Sequence, residues 1–206
     1  MPNTPPPPTP PESSASSGSI ASRIAAKVSS FIGRFWVVAL IIGVTWYLVQ
    51  GMGAPVELPD DVRSAPDFAL ESIDGDRVQL SDYQDNVVVL SLWATWCATC
   101  QQQTPGFVRV QEEYEEKGVQ FIGLSIDQGG LEDVRAFVEQ RQPVNYPMVN
   151  SPRVASQKYG TTRSVPRTFV IDTDGMIRYE HTGLFMTGEL KPVLDAVLNE
   201  SQEASL

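Results

Sequence analysis

The pattern of apolar and polar positions after residue 65 alternates between strand-like and helix-like stretches. Continuous apolar runs over Val87 to Trp93 and Val119 to Ile126 are typical of strands that are covered on both faces of a sheet. The CxxC segment Cys97 to Cys100 opens a helix that we expect to reach about Lys117 despite Pro105. The later elements predicted are a helix from Leu131 to about Arg141, a short strand from Tyr146 to Val149, a short helix from Val154 to Tyr159, strands at Thr168 to Ile171 and Met176 to Tyr179, and a helix from Glu189 to Asn199.

A hairpin is predicted ahead of these elements. The segments Asp67 to Leu70 and Arg77 to Leu80 flank Asp74-Gly75, which is a strong turn signal. Strands then alternate with helices, and the chain closes with a hairpin and a helix. This order predicts an α/β fold in which a mixed central sheet is flanked by helices.

The first third of the chain has a different character. Residues 1–34 begin with a stretch rich in proline, serine and threonine and contain all three positively charged residues of the first 53. We therefore expect a disordered, basic cytoplasmic segment. Residues 35–53 are apolar and uncharged and have about the length that crosses a bilayer, so we expect one transmembrane helix. A buried core helix and a cleaved signal peptide are the alternatives. The positive charges ahead of the anchor predict an N-terminus inside and a domain in the periplasm or extracytoplasmic space.

Residues 54–65 read as an acidic, proline-containing linker, and residues 66–200 as the folded domain. The formal net charge of the chain is −10: residues 1–53 carry +2 (Arg23, Lys27 and Arg34 against Glu12), so the remaining residues carry −10 − 2 = −12. An acidic domain argues against nucleic acid as a partner, because phosphate binding needs a basic face.

The candidate chemistry lies in Cys97 and Cys100, the only two cysteines of the protein. Because they are three residues apart at the start of a helix, both sulfurs face one side and can form a disulfide. Unpaired N–H groups and the helix dipole stabilise a thiolate there, which favours thiol–disulfide exchange. A zinc site needs about four ligands, and His181 is the only histidine. We therefore predict a redox dithiol, no bound metal and no cofactor.

Three stretches, WATWCATC, YEEKGVQFIGLSID and SVPRTFVIDTDGMI, resemble the membrane-anchored thioredoxin-like proteins of the TlpA/ResA (redoxin) type. The resemblance implies a thioredoxin fold, with the early hairpin as extra N-terminal strands. It implies that Cys97 is the exposed nucleophile and that Cys100 resolves the mixed disulfide. It also implies a cis bond between Val165 and Pro166 beside the disulfide, with the backbone of Val165 free to pair with a substrate strand.

The chain departs from this family in ways that bear on proton transfer. Ala98-Thr99 lacks the proline that usually precedes the second cysteine, so a reduction potential cannot be transferred from relatives. Gln103 stands where ResA-like proteins carry a glutamate, and Ser91 where thioredoxins carry a buried aspartate. Water, Glu112 or Asp127 could then serve the resolving thiol.

Four other residues in or near these motifs have either a possible role at the thiols or a structural one. Arg167 either lowers the pKa of Cys97 or is simply solvated. Trp93 is expected in the core. Trp96 either shields one face of the thiol and contacts substrate or has no role there. His181 is expected to be solvated or hydrogen bonded.

The sequence therefore predicts a membrane-tethered thiol–disulfide oxidoreductase that reduces disulfides in particular partner proteins. By resemblance, such targets include apocytochrome c or copper-site proteins, as in cytochrome c biogenesis, and a membrane thiol transporter supplies electrons. The alternatives are a peroxiredoxin-like thiol peroxidase, a Cu(I) metallochaperone that uses the two thiolates, and a general disulfide oxidase.

Overall fold

The computed structural model describes residues 36–45, 56, 58–59, 62–160 and 164–204. The chain divides into two units, Met1–Ala54 and Pro55–Leu206. In the first unit the described part is a helix over residues 36–45 (α1), and its side chains are exposed. Across the described residues, no helix has both the length and the apolar character that spanning a membrane requires. The predicted N-terminal segment, and the predicted anchor beyond residue 45, lie outside the described residues.

The second unit contains eight strands and four further helices among its described residues. The strands are β1 (Arg63–Ser64), β2 (Ala69–Glu71), β3 (Arg77–Gln79), β4 (Val87–Trp93), β5 (Val119–Ser125), β6 (Met148–Asn150), β7 (Arg167–Ile171) and β8 (Met176–Thr182). The helices are α2 (Ala98–Tyr114), α3 (Leu131–Arg141), α4 (Pro152–Tyr159) and α5 (Thr187–Ala204), and short 3-10 turns cover Leu80–Tyr83 and Glu115–Lys117.

Six strands form one mixed sheet in the order β1-β8-β7-β4-β5-β6. The strands β4, β5 and β6 are parallel, whereas β7 and β8 run antiparallel to their neighbours. The strands β2 and β3 form the separate hairpin that the Asp74-Gly75 turn predicted. The predicted α/β class with a mixed sheet is confirmed. Two residues of the predicted linker form β1 and pair with β8, a contact with no signal in the local sequence.

Helices α2 and α4 pack on opposite faces of the sheet, as the contacts of two successive residues of β4 show. Val89 pairs with Phe121, whose ring packs against Phe107 of α2 at a centroid distance of 5.3 Å. Leu90 pairs with Phe169, whose ring instead packs against Tyr159 of α4 at 5.3 Å. Because neighbouring side chains of a strand point to opposite faces, α2 and α4 lie on opposite sides of the sheet.

All seven residues of β4 are buried, as its unbroken apolar run predicted. Helix α2 passes through Pro105 and ends at Tyr114, after which a 3-10 turn continues to Lys117, so the predicted length is confirmed. Helix α3 has the predicted bounds. The result is a rigid central strand that ends beside the first turn of α2, where the two cysteines lie.

Candidate active site

The two cysteines lie at the N-terminus of α2 and are joined by a disulfide. Strand β4 ends at Trp93, and the backbone N–H of Cys97 donates to the carbonyl of Ala94 at 3.1 Å to close a turn. Cys97 is the N-cap residue of α2, and its sulfur accepts a hydrogen bond from the backbone N–H of Cys100 at 3.2 Å. The first turn of α2 holds no acidic side chain. This geometry gives a thiolate on Cys97 a backbone donor and the positive end of a helix dipole.

The two cysteines differ in their exposure to solvent. Cys100 is completely buried, and Cys97 retains 6% of its surface. Of the two cysteines only Cys97 keeps any exposed surface, and it is less exposed than the sequence suggested. Its role as the nucleophile stays a prediction. Trp96 is 64% exposed, so most of its surface faces solvent, and shielding of the Cys97 sulfur by its indole stays a prediction. Its contact with substrate stays a prediction.

The Val165–Pro166 peptide bond is cis, as the family resemblance implied. Pro166 is buried, Val165 is half-buried, and the next residue, Arg167, pairs with Leu92 near the end of β4. The carbonyl of Pro166 also accepts a hydrogen bond from the backbone N–H of Gly183 at 2.9 Å. The register thus brings this loop beside the turn that carries Cys97. Substrate pairing with Val165 stays a prediction.

Arg167 does not have either of the roles that the sequence suggested. It shares a sheet face with Phe169, over whose ring its guanidinium lies at 5.0 Å, and this is the face opposite α2. Its Nε donates to Glu180 at 2.7 Å and its Nη1 donates to the carbonyl of Tyr159 at 2.8 Å. The guanidinium is therefore neither near the thiols nor solvated, because an ion pair on the far face holds it.

The glutamate in that ion pair has a shifted pKa. Burial alone would raise the pKa of Glu180, but hydrogen bonds and charge from Arg63 and Arg167 outweigh burial and lower it. The carboxylate thus joins β1, β7 and β8 on the face away from the disulfide.

Two neutral side chains stand where relatives carry carboxylates. Ser91 is buried and pairs with Thr168 across β4 and β7, on the face covered by α2. Gln103 is 4% exposed and lies one turn after Cys100, where its Oε1 accepts a hydrogen bond from the backbone N–H of Phe185 at 3.2 Å. Gln103 therefore connects α2 to the loop that precedes α5.

The two predicted acid candidates differ in position. Glu112 is exposed on α2, twelve residues beyond Cys100, which at 1.5 Å per residue is about 18 Å along the helix. This distance excludes it from direct proton transfer to that sulfur. Asp127 is buried and lies beside the active-site turn, because its carboxylate accepts hydrogen bonds from Thr95. Proton transfer by Asp127 stays a prediction.

His181 and Trp93 have structural roles, as predicted. A ring nitrogen of His181 lies 3.1 Å from the carbonyl oxygen of Leu184, and the imidazole stacks on Phe185 with centroids 4.4 Å apart. Trp93 is 3% exposed and packs against Phe137 of α3.

Sequence reasoning missed the polar residues that hold the active-site turn. Thr95, Ser125 and Asn150 form hydrogen bonds with Asp127. The one available signal was a serine and an aspartate at the end of a buried strand, since short polar side chains there often bond to nearby backbone.

Comparison with known proteins decides the family. The profile of the AhpC/TSA family matches residues 62–180, which is more than half of the chain. The chain belongs to this family. The thiol-disulfide oxidoreductase ResA of Bacillus cereus is 30% identical over 153 residues, covering 72% of this chain and 87% of ResA. The thioredoxin-like protein YneN of Bacillus subtilis is 28% identical and covers 76% of this chain and 92% of YneN.

Solved structures agree with this assignment of the AhpC/TSA protein. A crystal structure from Chlorobium tepidum, described as a thiol:disulfide interchange protein DsbE, has a TM-score of 0.60 and 31% identity, and it covers 67% of this chain and 98% of that one. A DsbF homologue from Corynebacterium diphtheriae has a TM-score of 0.60 at 24% identity, covering 70% and 94%, and supports the fold. The thioredoxin-like fold and the class of thiol–disulfide oxidoreductase are thereby confirmed.

Proposed function

We propose that this protein is a membrane-tethered, extracytoplasmic thiol–disulfide oxidoreductase that reduces disulfides in specific partner proteins. The observation that carries the proposal is the pairing of a slightly accessible Cys97 at a helix N-terminus with a fully buried Cys100 in one disulfide. A buried resolving thiol can react with a neighbouring sulfur but not with a second large partner. The pair therefore suits exchange with one partner disulfide at a time.

The reaction proceeds in two exchange steps from the reduced enzyme. The thiolate of Cys97 attacks one sulfur of the partner disulfide, the partner S–S bond breaks, and the other partner sulfur leaves as a thiolate that takes up a proton. The thiolate of Cys100 then attacks the sulfur of Cys97 and releases the second partner thiol. Two electrons pass from the enzyme dithiol to the partner, and the enzyme ends as the Cys97–Cys100 disulfide.

The membrane tether and the electron source rest on the sequence. The uncharged apolar run over residues 35–53 has about the length of a membrane span, with positive charges before it. A membrane thiol transporter on the same side would return the disulfide to the dithiol, and the proposed targets are protein disulfides such as those of apocytochrome c or copper-site proteins. An oxidising compartment gives such a reductant disulfides to act on.

Redox equilibration of the full chain in detergent with glutathione buffers tests the direction. We expect a reduction potential near or below about −250 mV, as for thioredoxin-like reductants. A value near about −120 mV would make the protein an oxidant and would overturn the proposed direction. A Cys97→Ser variant should show no exchange in the same buffers.

Trapping in cells tests the partner class. A Cys100→Ser variant should accumulate mixed disulfides with extracytoplasmic proteins, because the resolving sulfur is absent, whereas Cys97→Ser should accumulate none. Equal trapping by both variants would contradict the assignment of Cys97 as the attacking residue. Carbonate extraction that releases the protein from membranes would contradict the tether.

A further inference from the structure

Side-chain hydrogen bonds to Thr95 connect the turn that carries Cys97 to neighbouring elements. Its backbone N–H donates to Oδ2 of Asp127 at 2.9 Å, and its hydroxyl donates to Oδ1 of Asp127 at 2.7 Å. Its carbonyl accepts a hydrogen bond from the side-chain amide of Gln101 at 2.6 Å. All three polar groups of a residue two positions before the nucleophile are therefore fixed, two of them by one carboxylate.

The carboxylate is itself built into the sheet. Asp127 follows β5 and is 6% exposed. Its Oδ2 also accepts from the hydroxyl of Ser125 at 2.6 Å, and that hydroxyl in turn accepts from the backbone N–H of Asp127 at 3.0 Å. The side chain of Asn150, at the end of β6, donates to the carbonyl of Asp127 at 3.0 Å. The ends of β5 and β6 thus fix the carboxylate that holds the active-site turn after β4.

The hydrogen-bond donors to this carboxylate are all neutral. They are one backbone N–H and two hydroxyls, and no ion pair of the described residues includes Asp127. Both carboxylate oxygens lie within hydrogen-bond distance of these donors. Asp127 is therefore buried beside the turn that carries Cys97 and has no cationic partner among the described residues.

The other charged or titratable groups on the surrounding elements are engaged elsewhere or are solvated. These groups are Arg167 and Glu180 in their ion pair on the far face, His181 at the carbonyl of Leu184, Glu132 paired with Arg135, exposed Asp133 at the start of α3, exposed Arg153 on α4, which donates to Gln157, and Glu189 bonded to the backbone N–H of Met186. None of these bonds neutralises Asp127.

We propose that Asp127 is a positioning residue of the redox site that holds the turn presenting Cys97 and disfavours the thiolate of Cys97 through its negative charge. A like charge disfavours ionisation of a neighbouring acid. A dithiol whose reduced form is stabilised is a strong disulfide oxidant. A charge that destabilises the thiolate destabilises the reduced form and therefore makes the dithiol a stronger reductant. The inference rests on the proposed function in assigning this effect to a reductant.

Two variants separate charge from position. Asp127→Asn removes the charge and keeps the size of the side chain. Thr95→Val removes the hydroxyl bond and keeps both the backbone N–H bond and the charge. Both are made in the full chain in detergent, and Asp127→Ser, which keeps a hydroxyl near the N–H of Thr95, replaces Asp127→Asn if that variant does not fold.

The first measurement is the pH dependence of alkylation of Cys97 by iodoacetamide in a reduced Cys100→Ser background. We expect Asp127→Asn to shift the midpoint to lower pH by at least about half a unit, a threefold change in the thiolate equilibrium. We expect Thr95→Val to leave the midpoint unchanged. An unchanged or higher midpoint in Asp127→Asn overturns the role of the charge, since a merely structural residue would not lower it.

The second measurement tests the positioning of Cys97. Thr95→Val should slow mixed-disulfide formation with glutathione disulfide severalfold at a pH where Cys97 is fully ionised, because the turn is held less firmly. An unchanged rate overturns the positioning role. With both cysteines present, Asp127→Asn should also have a less negative reduction potential than the unaltered protein. That difference does not depend on the absolute potential, so an oxidant-like value would overturn the proposed direction of the enzyme and leave this inference standing.

Discussion

The hydrogen bond between Gln103 and the backbone N–H of Phe185 gives the most specific prediction about stability. The bond is 3.2 Å long, and both residues are almost completely buried, at 4% and 1% exposure. The residues are 82 positions apart and join the first turns of α2 to the loop before α5. Replacing Gln103 with leucine keeps roughly the same volume but removes the acceptor.

The magnitude follows from the burial of the donor. A buried N–H that loses its partner costs about 1–3 kcal/mol. The bond is at the long end of the normal range of about 2.7–3.2 Å. We therefore expect Gln103→Leu to lower the free energy of unfolding by about 1–2 kcal/mol, the lower half of that energy range. In a domain of this size each kcal/mol lowers the melting temperature by about 2–4 °C.

Urea unfolding of the oxidised full chain in detergent measures this loss. The control is Gln103→Glu, which keeps an acceptor for the N–H of Phe185 but buries a carboxyl group. Its stability should recover as the pH falls and the carboxyl becomes neutral, whereas the loss in Gln103→Leu should not depend on pH. A Gln103→Leu protein within about 0.5 kcal/mol of the unaltered protein would refute the reasoning, because the bond would then contribute nothing measurable.

Three further predictions concern the surrounding framework. Arg167→Gln should lower the free energy of unfolding by about 1–2 kcal/mol, because Glu180 loses a half-buried partner. The same variant should leave the pH profile of Cys97 alkylation unchanged, and a shifted profile would contradict the position of Arg167 on the far face of the sheet. The lowered pKa of Glu180 means that its contribution to stability is full above its usual pKa and is lost as the pH falls through the folded-state pKa. Glu180→Gln should therefore lose less stability on acidification than the unaltered protein, and parallel acid-unfolding curves would argue against this. Tyr114→Phe removes the hydrogen bond from its hydroxyl to Asp195 at 3.0 Å and should cost about 1 kcal/mol in urea unfolding, whereas no change would show that the bond between α2 and α5 is dispensable.

Much of the fold could be read from local pattern. The sequence predicted β4 and α3 with the observed bounds. A strand that is buried on both faces needs a continuous apolar run, and a helix that is buried on one side needs an apolar stripe, so both are visible in the order of residues. The Asp74-Gly75 turn likewise predicted the hairpin of β2 and β3. The strand β1 was not predictable in this way, since only two of its residues pair with β8 and so short a strand needs no pattern of apolar residues.

The redox pair itself was also determined by the sequence. Two cysteines three apart at the start of a helix must face the same side, so local geometry alone places their sulfurs together. The cis bond at Pro166 came from the resemblance to a family, because spacing alone favours a trans bond.

Only the tertiary structure decided the environment of that pair. The sequence placed Arg167 near Cys97 or in solvent, but the register of β7 on β4 turns its side chain to the opposite face of the sheet. Asp127 lies 32 residues from Thr95, yet the parallel alignment of β4 and β5 brings the carboxylate to the active-site turn. Local sequence encodes what a residue can form with its near neighbours. The partner of a buried charge or amide is set by strand order and register, which depend on the packing of the whole sheet.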